Sequence, residues 1–184
     1  MTNPDPNKII LVSGLPRSGT SMMMQMLEAG GIPLLTDQHR APDADNPQGY
    51  YELQAVKRSK QDTNWVAQAP GKAVKVISFY LPNLPRDHPY DILFMRRALD
   101  KILASQETML KRQGKPDDPR IAPLFQKHLD HIIPWLTQQP HMNTHYMEYE
   151  EILAIPDKTA NEIAAFLNID LDTTPMTNAV VSPP

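Results

Sequence analysis

Residues 9–12, Ile-Ile-Leu-Val, form a short unbroken apolar run that leads into Ser13-Gly14-Leu15-Pro16-Arg17-Ser18-Gly19-Thr20-Ser21. A run of that length, rich in β-branched side chains, predicts a strand buried on both faces, the kind found inside a parallel sheet. Behind the glycine segment, Met22, Met23, Met26 and Leu27 recur at helical spacing until Gly30-Gly31, so a helix is expected over residues 21–29. Strand, glycine loop and helix in that order open a doubly wound α/β domain.

The segment between strand and helix has its own chemistry. Gly14 and Gly19 keep the glycine spacing of the phosphate-binding loop Gly-x-x-x-x-Gly-Lys-Ser/Thr, but Thr20 stands where the Lys belongs, followed by Ser21. The glycines let backbone N–H groups turn inward, and the helix start adds partial positive charge, so the loop is a cradle for one phosphate-like anion. A bare glycine turn without a ligand is the other reading; the strand before, the helix after and the Arg, Ser and Thr within favour the anion. The missing Lys is the group that reaches the β- and γ-phosphates in nucleoside triphosphatases. Arg17, inside the loop, offers a permanent cation suited to oxyanions.

The rest of the chain alternates in the same style. Strands are expected at 72–78, 91–95 and 144–148, and helices at 98–112, 121–139 (with Pro134 ending or kinking it) and 158–167. Residues 50–61 have helical character, 81–89 are broken by proline, and 114–119 form a linker. Residues 36–49 are polar and rich in Pro, Asp and Asn, as expected of a long functional loop. The tail, 173–184, shows no period and is expected to be irregular. The fold class is therefore a P-loop-type parallel β-sheet flanked by helices, a three-layer α/β/α arrangement in one domain over 1–184.

Composition narrows the function. With 184 residues, 41% hydrophobic and 21% charged, the chain reads as an ordinary globule of one domain. A net charge of -3 argues against general nucleic-acid binding. The absence of cysteine excludes disulfides, thiolate metal sites and thiol nucleophiles. Residues 1–8 lack an apolar core after a basic start, and no apolar run nears the roughly 20 residues of a membrane span, so a cytoplasmic location without membrane association is expected.

Residues 16–21, Pro-Arg-Ser-Gly-Thr-Ser, resemble the 5′-phosphosulfate loop of the sulfotransferases: Pro, Lys or Arg, Ser or Thr, Gly, and two further Ser or Thr. That family takes 3′-phosphoadenosine 5′-phosphosulfate (PAPS) as sulfuryl donor. Its second motif, a strand ending in Arg with a Ser eight residues on, is matched by Arg97 and Ser105. A third likeness, supportive only, joins Tyr146-Met147-Glu148-Tyr149-Glu150-Glu151-Ile152-Leu153 to the family's late Tyr-Glu-Asp-Leu strand-and-turn, and Phe166-Leu167-Asn168-Ile169 to its Phe-Leu-Gly-Leu. The resemblance runs from about residue 9 to 169. It departs in the tail, which lacks the Gly- and Arg-containing segment that cytosolic members place over the 3′-phosphate, in Arg17 where many members have Lys, and in the shortness of the chain.

The resemblance implies that Pro16, Arg17, Ser18, Gly19, Thr20 and Ser21 hold the 5′-phosphosulfate and Arg97 with Ser105 the 3′-phosphate, with no metal. The reaction implied is sulfuryl transfer to a hydroxyl or amine of a small-molecule, glycan or peptide acceptor. Arg17 and Lys75 are then catalytic cations, and Glu52 is the first choice for general base, with Asp37, His39 and Asp45 behind it. A solvated Glu52 and a snorkelling Lys75 are the alternatives. Arg96 is expected to face away from Arg97 and make a salt bridge. His128, His131, His141 and His145 read as surface histidines, and the methionines 22–26 and Trp65 and Trp135 as packing. Two rival functions stay open: a PAPS-binding sensor or partner subunit without transfer, and, against the missing Lys, a degenerate P-loop kinase or hydrolase.

Overall fold

The computed structural model describes residues 7–37 and 49–180. Its frame is a four-stranded, wholly parallel sheet of β1 (Ile9–Gly14), β2 (Ala73–Lys75), β3 (Tyr90–Arg96) and β4 (Met142–Glu148), in the order β2-β1-β3-β4. The four expected strands are present. β2 is shorter than its apolar pattern suggested, because the chain turns into a 3-10 segment at Ser78–Asn83 that carries Pro82.

Alternation along the central strands splits the core. Ile10, Val12, Leu93 and Met95 face one layer, built from α1 (Thr20–Ala29), α4 (Tyr149–Ala154), α5 (Pro156–Leu167) and α6 (Thr173–Asn178). Ile9, Leu11, Ile92 and Phe94 face the other, where α3 (Ile121–Leu136) supplies Ile132 and Leu136 and the segment around Trp65 closes the side. The remaining helix, α2 (Leu99–Arg112), packs Ile102 with Leu15 and Phe125 in a smaller cluster beside the loop. The three-layer α/β/α expectation thus holds, and Met22, Met23, Met24 and Met26 are all core.

Local chemistry explains the helix ends. Gly31, at φ 94, closes α1 with Ile32 N–H to Leu27 O at 2.9 Å and Gly31 N–H to Glu28 O at 3.0 Å, a Schellman pair. Asn168 closes α5 at φ 55, in the left-handed region that Asn tolerates and glycine occupies most readily. Pro134 does not stop α3 at once; the helix ends two residues later at Leu136.

Three expectations need correction. Residues 50–61 hold only a short 3-10 turn, Gln54–Arg58. The strand-and-turn read at 146–153 is a strand to Glu148 followed at once by α4. The tail is not irregular throughout: Thr173–Asn178 is helical, held by tertiary contact rather than by its own pattern. Met176 is fully buried against Gly30, where a Cβ would stand 2.7 Å from the Met176 side chain. Of the polar loop expected at 36–49, residues 38–48, with His39 and Asp45, lie outside the described residues.

Candidate functional site

From β1 the chain moves to β2 on one side and then to β3 on the other, so the strand order reverses beside β1. Parallel sheets leave a crevice at such a reversal, outside the carboxyl ends of the strands. The Gly14–Ser21 loop leaves β1 at this crevice. Its glycines are required sterically: Gly14 has φ 138, and a Cβ there would meet Met95 O and Ser18 Oγ at 2.6 Å; Gly19 has φ 98, and its Cβ would meet Tyr149 Cδ2 at 2.4 Å. Ser18 Oγ–H donates to Leu15 O at 2.7 Å and holds the turn. The first helical bond runs from Met23 N–H to Gly19 O at 3.1 Å, and no side chain caps the turn before it. The opening of α1 therefore presents backbone donors to the crevice.

Two residues far along the chain, Arg97 and Ser105, meet Arg17 on this loop. Arg17, in the left-handed region at φ 69, donates from Nε to Ser105 Oγ at 3.0 Å, and its carbonyl accepts from Arg97 Nη1 at 3.1 Å. Bonds at both ends over-determine a backbone conformation that costs a non-glycine residue about 1 kcal/mol. Ser105 accepts from Arg17 and keeps its own O–H to donate. Arg97 follows β3, and its buried Nε has no hydrogen-bond partner, with Glu150 Oε1 3.7 Å away.

On the opposite side of β1 stands Lys75. Register pairs it with Val12, so it points to the α1 face, where it is 9% exposed and donates to Ser21 Oγ at 3.0 Å and Tyr50 O at 2.7 Å. Lys75 does stand on an edge strand, as the alternative had it, but its ammonium is buried and bonded and does not snorkel to solvent. Tyr50 begins the segment that carries Glu52. There Tyr51 donates to Glu28 Oε2 at 3.1 Å, its hydroxyl pushed up to about 12 chiefly by burial and then by Glu28. Glu52 O accepts from Thr36 Oγ1 at 2.8 Å and Asp37 N–H at 3.1 Å, and its carboxylate pairs with Lys57 at 2.7 Å. Asp37 itself accepts from Gln54 N–H.

Residues set aside by the sequence also have places. Arg96 points outward and pairs with Glu148 at 3.2 Å, as the alternation required. Trp65 is core, its Nε1–H on Ser59 Oγ at 3.1 Å. His128 is not a plain surface residue: it stacks on Phe79 at 3.8 Å and bonds Ser78 Oγ at 2.9 Å, and burial holds its imidazole below the usual range. His145 pairs with Glu162 at 2.8 Å. One residue that the late strand-and-turn likeness spans, but to which the sequence assigned no role, belongs to the site: Tyr149, whose ring touches both Gly19 and Arg97. Besides that likeness its signal is position, one residue beyond β4 as Arg97 is one beyond β3.

Known proteins share parts of this sequence and fold. The sulfotransferase domain model matches residues 120–181, from the start of α3 through α6, a stretch that does not include the loop. The sulfotransferase domain from the Synechococcus PCC 7002 olefin synthase has the same fold, with TM-score 0.59 at 17% identity over 99% of this chain and 80% of that one. The mouse sulfotransferase SULT7A1, solved with PAP, gives TM-score 0.56 at 18% identity over 96% of this chain and 63% of that one. A sugar kinase from Janibacter follows at TM-score 0.50 and 13% identity, covering 96% of this chain and 100% of that one, so the sheet alone does not separate transferase classes. No curated protein matches the sequence. The fold is one that these sulfotransferases share, and the sulfotransferase domain model matches α3 through α6 of this chain. At these identities the structural likeness establishes the fold, and the acceptor is left to the chain's own residues.

Proposed function

We propose that the protein, as one domain, transfers a sulfuryl group from PAPS to a hydroxyl or amine. The observation that carries this reading is the meeting of Arg17, Arg97 and Ser105, 80 and 88 positions apart in sequence, on one phosphate loop that has Thr20 in place of Lys. Such an arrangement suits a nucleotide with a second phosphate on its ribose better than a triphosphate. The residues fit that donor: no side chain caps the opening of α1, and Arg97 Nε makes no hydrogen bond, its ion-pair partner Glu150 Oε1 standing 3.7 Å away.

PAPS supplies the sulfuryl group, and the bisphosphate is what departs. Arg17 and the loop donors Gly19, Thr20 and Ser21, on a turn that Ser18 holds through Leu15 O, bind the 5′ end and stabilise charge as it builds on the leaving oxygen. Lys75, fixed beside Ser21, adds a cation on the same side. Arg97 and Ser105 hold the 3′-phosphate and so set the register of the nucleotide along the crevice. Glu52 takes the acceptor proton, released from Lys57 when acceptor binds.

A second reading has its own support. Residues 173–178 pack at the carboxyl end of α1, with Asp172 N–H on Gly30 O at 3.3 Å, and not over the loop at its other end. A tail that packs there, rather than over the 3′-phosphate, is the observation that favours a binding protein without transfer. Turnover of PAPS against a broad panel of hydroxyl and amine acceptors separates the two. Sulfated product is expected; tight binding of the bisphosphate with no product from any acceptor overturns the transferase reading in favour of the binding one.

A further inference from the structure

β3 and β4 run in register with Arg96 opposite Glu148, so the next residues, Arg97 and Tyr149, emerge side by side at the carboxyl end of the sheet. Tyr149 opens α4 and is 7% exposed. Its ring makes two contacts at once. The edge lies against Gly19, where a Cβ would stand 2.4 Å from Cδ2 and 2.8 Å from Cε2. The face carries the Arg97 guanidinium, its Cζ 4.2 Å from the ring centroid. Of that guanidinium, Nη1 is committed to Arg17 O, while the buried Nε makes no hydrogen bond and has only the ion-pair contact of Glu150 Oε1 at 3.7 Å. A guanidinium stacked on an aromatic face has its plane fixed, and the direction of its remaining N–H groups is fixed with it.

We propose that Tyr149 is a positioning residue of the site: its ring face sets the plane of the Arg97 guanidinium against the phosphate loop so that Arg97 meets the 3′-phosphate of the nucleotide. The inference rests on the 3′-phosphate reading of Arg97 given above. The phenol hydroxyl takes no part, so phenylalanine serves in its place and an aliphatic side chain does not.

The test is a titration of the full chain with adenosine 3′,5′-bisphosphate and with ADP. The wild type is expected to prefer the bisphosphate by about tenfold or more, Tyr149→Phe to keep that preference, and Tyr149→Leu to reduce it to about twofold while ADP binding changes little. In an Arg97→Ala background, Tyr149→Leu should have no further effect on the preference. A wild type without preference overturns the 3′-phosphate reading and this inference with it. A preference present in the wild type and retained by a folded Tyr149→Leu overturns the role of Tyr149 alone. Should Tyr149→Leu fail to fold, phenylalanine at 149 carrying one to three ring fluorines decides. The preference should fall with each fluorine as the ring face loses its negative character, and a flat series contradicts the inference.

Discussion

Gly19 carries two constraints that no other side chain satisfies: φ 98 and a Cβ position inside the Tyr149 ring. Gly19→Ala is expected to cost about 3 kcal/mol of stability, from left-handed strain plus overpacking, and to abolish nucleotide binding. Thermal unfolding and titration check both parts. Lys75→Met leaves Ser21 Oγ and Tyr50 O without their buried donor, so a loss of about 1–3 kcal/mol is expected, with turnover down about a hundredfold or more. Glu52→Gln keeps the backbone bonds of its segment and removes only the base. A fall in kcat of about a hundredfold with little change in donor affinity is expected, and unchanged kcat would mark Glu52 as no more than the partner of Lys57. At this scale the glycine spacing and the loop's Arg were legible because the phosphate cradle is a local device. The role of Tyr149, though the late motif spans it, was not, since its partners lie 130 and 52 positions away and only strand register brings them together.

Among elements, the strands and α1, α2, α3 and α5 were readable because each carries its own hydrophobic period. α6 carries none. It forms because Met176 finds a place against Gly30, a contact between the end of α1 and a segment far along the chain. Met176→Ala should therefore destabilise the whole protein by about 2–4 kcal/mol, as a core truncation does, rather than merely loosen a tail. A denaturant midpoint unchanged within error would contradict that. β2 was over-read for a related reason: Val74, Val76 and Ile77 look like one apolar run, but pairing with β1 ends at Lys75. From there the chain turns away into the 3-10 segment, which puts Ser78 beside His128.

For the whole molecule, the position of the site follows from topology. The order β2-β1-β3-β4 reverses beside β1, and every residue gathered on the loop comes from the carboxyl end of a strand or the helix after it. A global titration follows from the histidines. Burial is the leading cause that holds both His128 and His141 below the ordinary 6.5. Below that pH the unfolded chain binds protons that the folded one does not, so this contribution is present above 6.5 and is lost as pH falls through the folded values. Stability should drop on acidification from pH 7, and His128→Gln should flatten part of that slope. A wild-type stability that rises on acidification would contradict the burial.

The central claim is that one crevice holds a nucleotide bearing a 3′-phosphate. The most direct measurement compares the affinities of adenosine 3′,5′-bisphosphate and ADP for the wild type and for Arg97→Ala. The account predicts a preference of about tenfold or more, roughly 1.4 kcal/mol, that Arg97→Ala erases while the protein stays folded. Equal affinities in the wild type, or a preference untouched by Arg97→Ala, would contradict it.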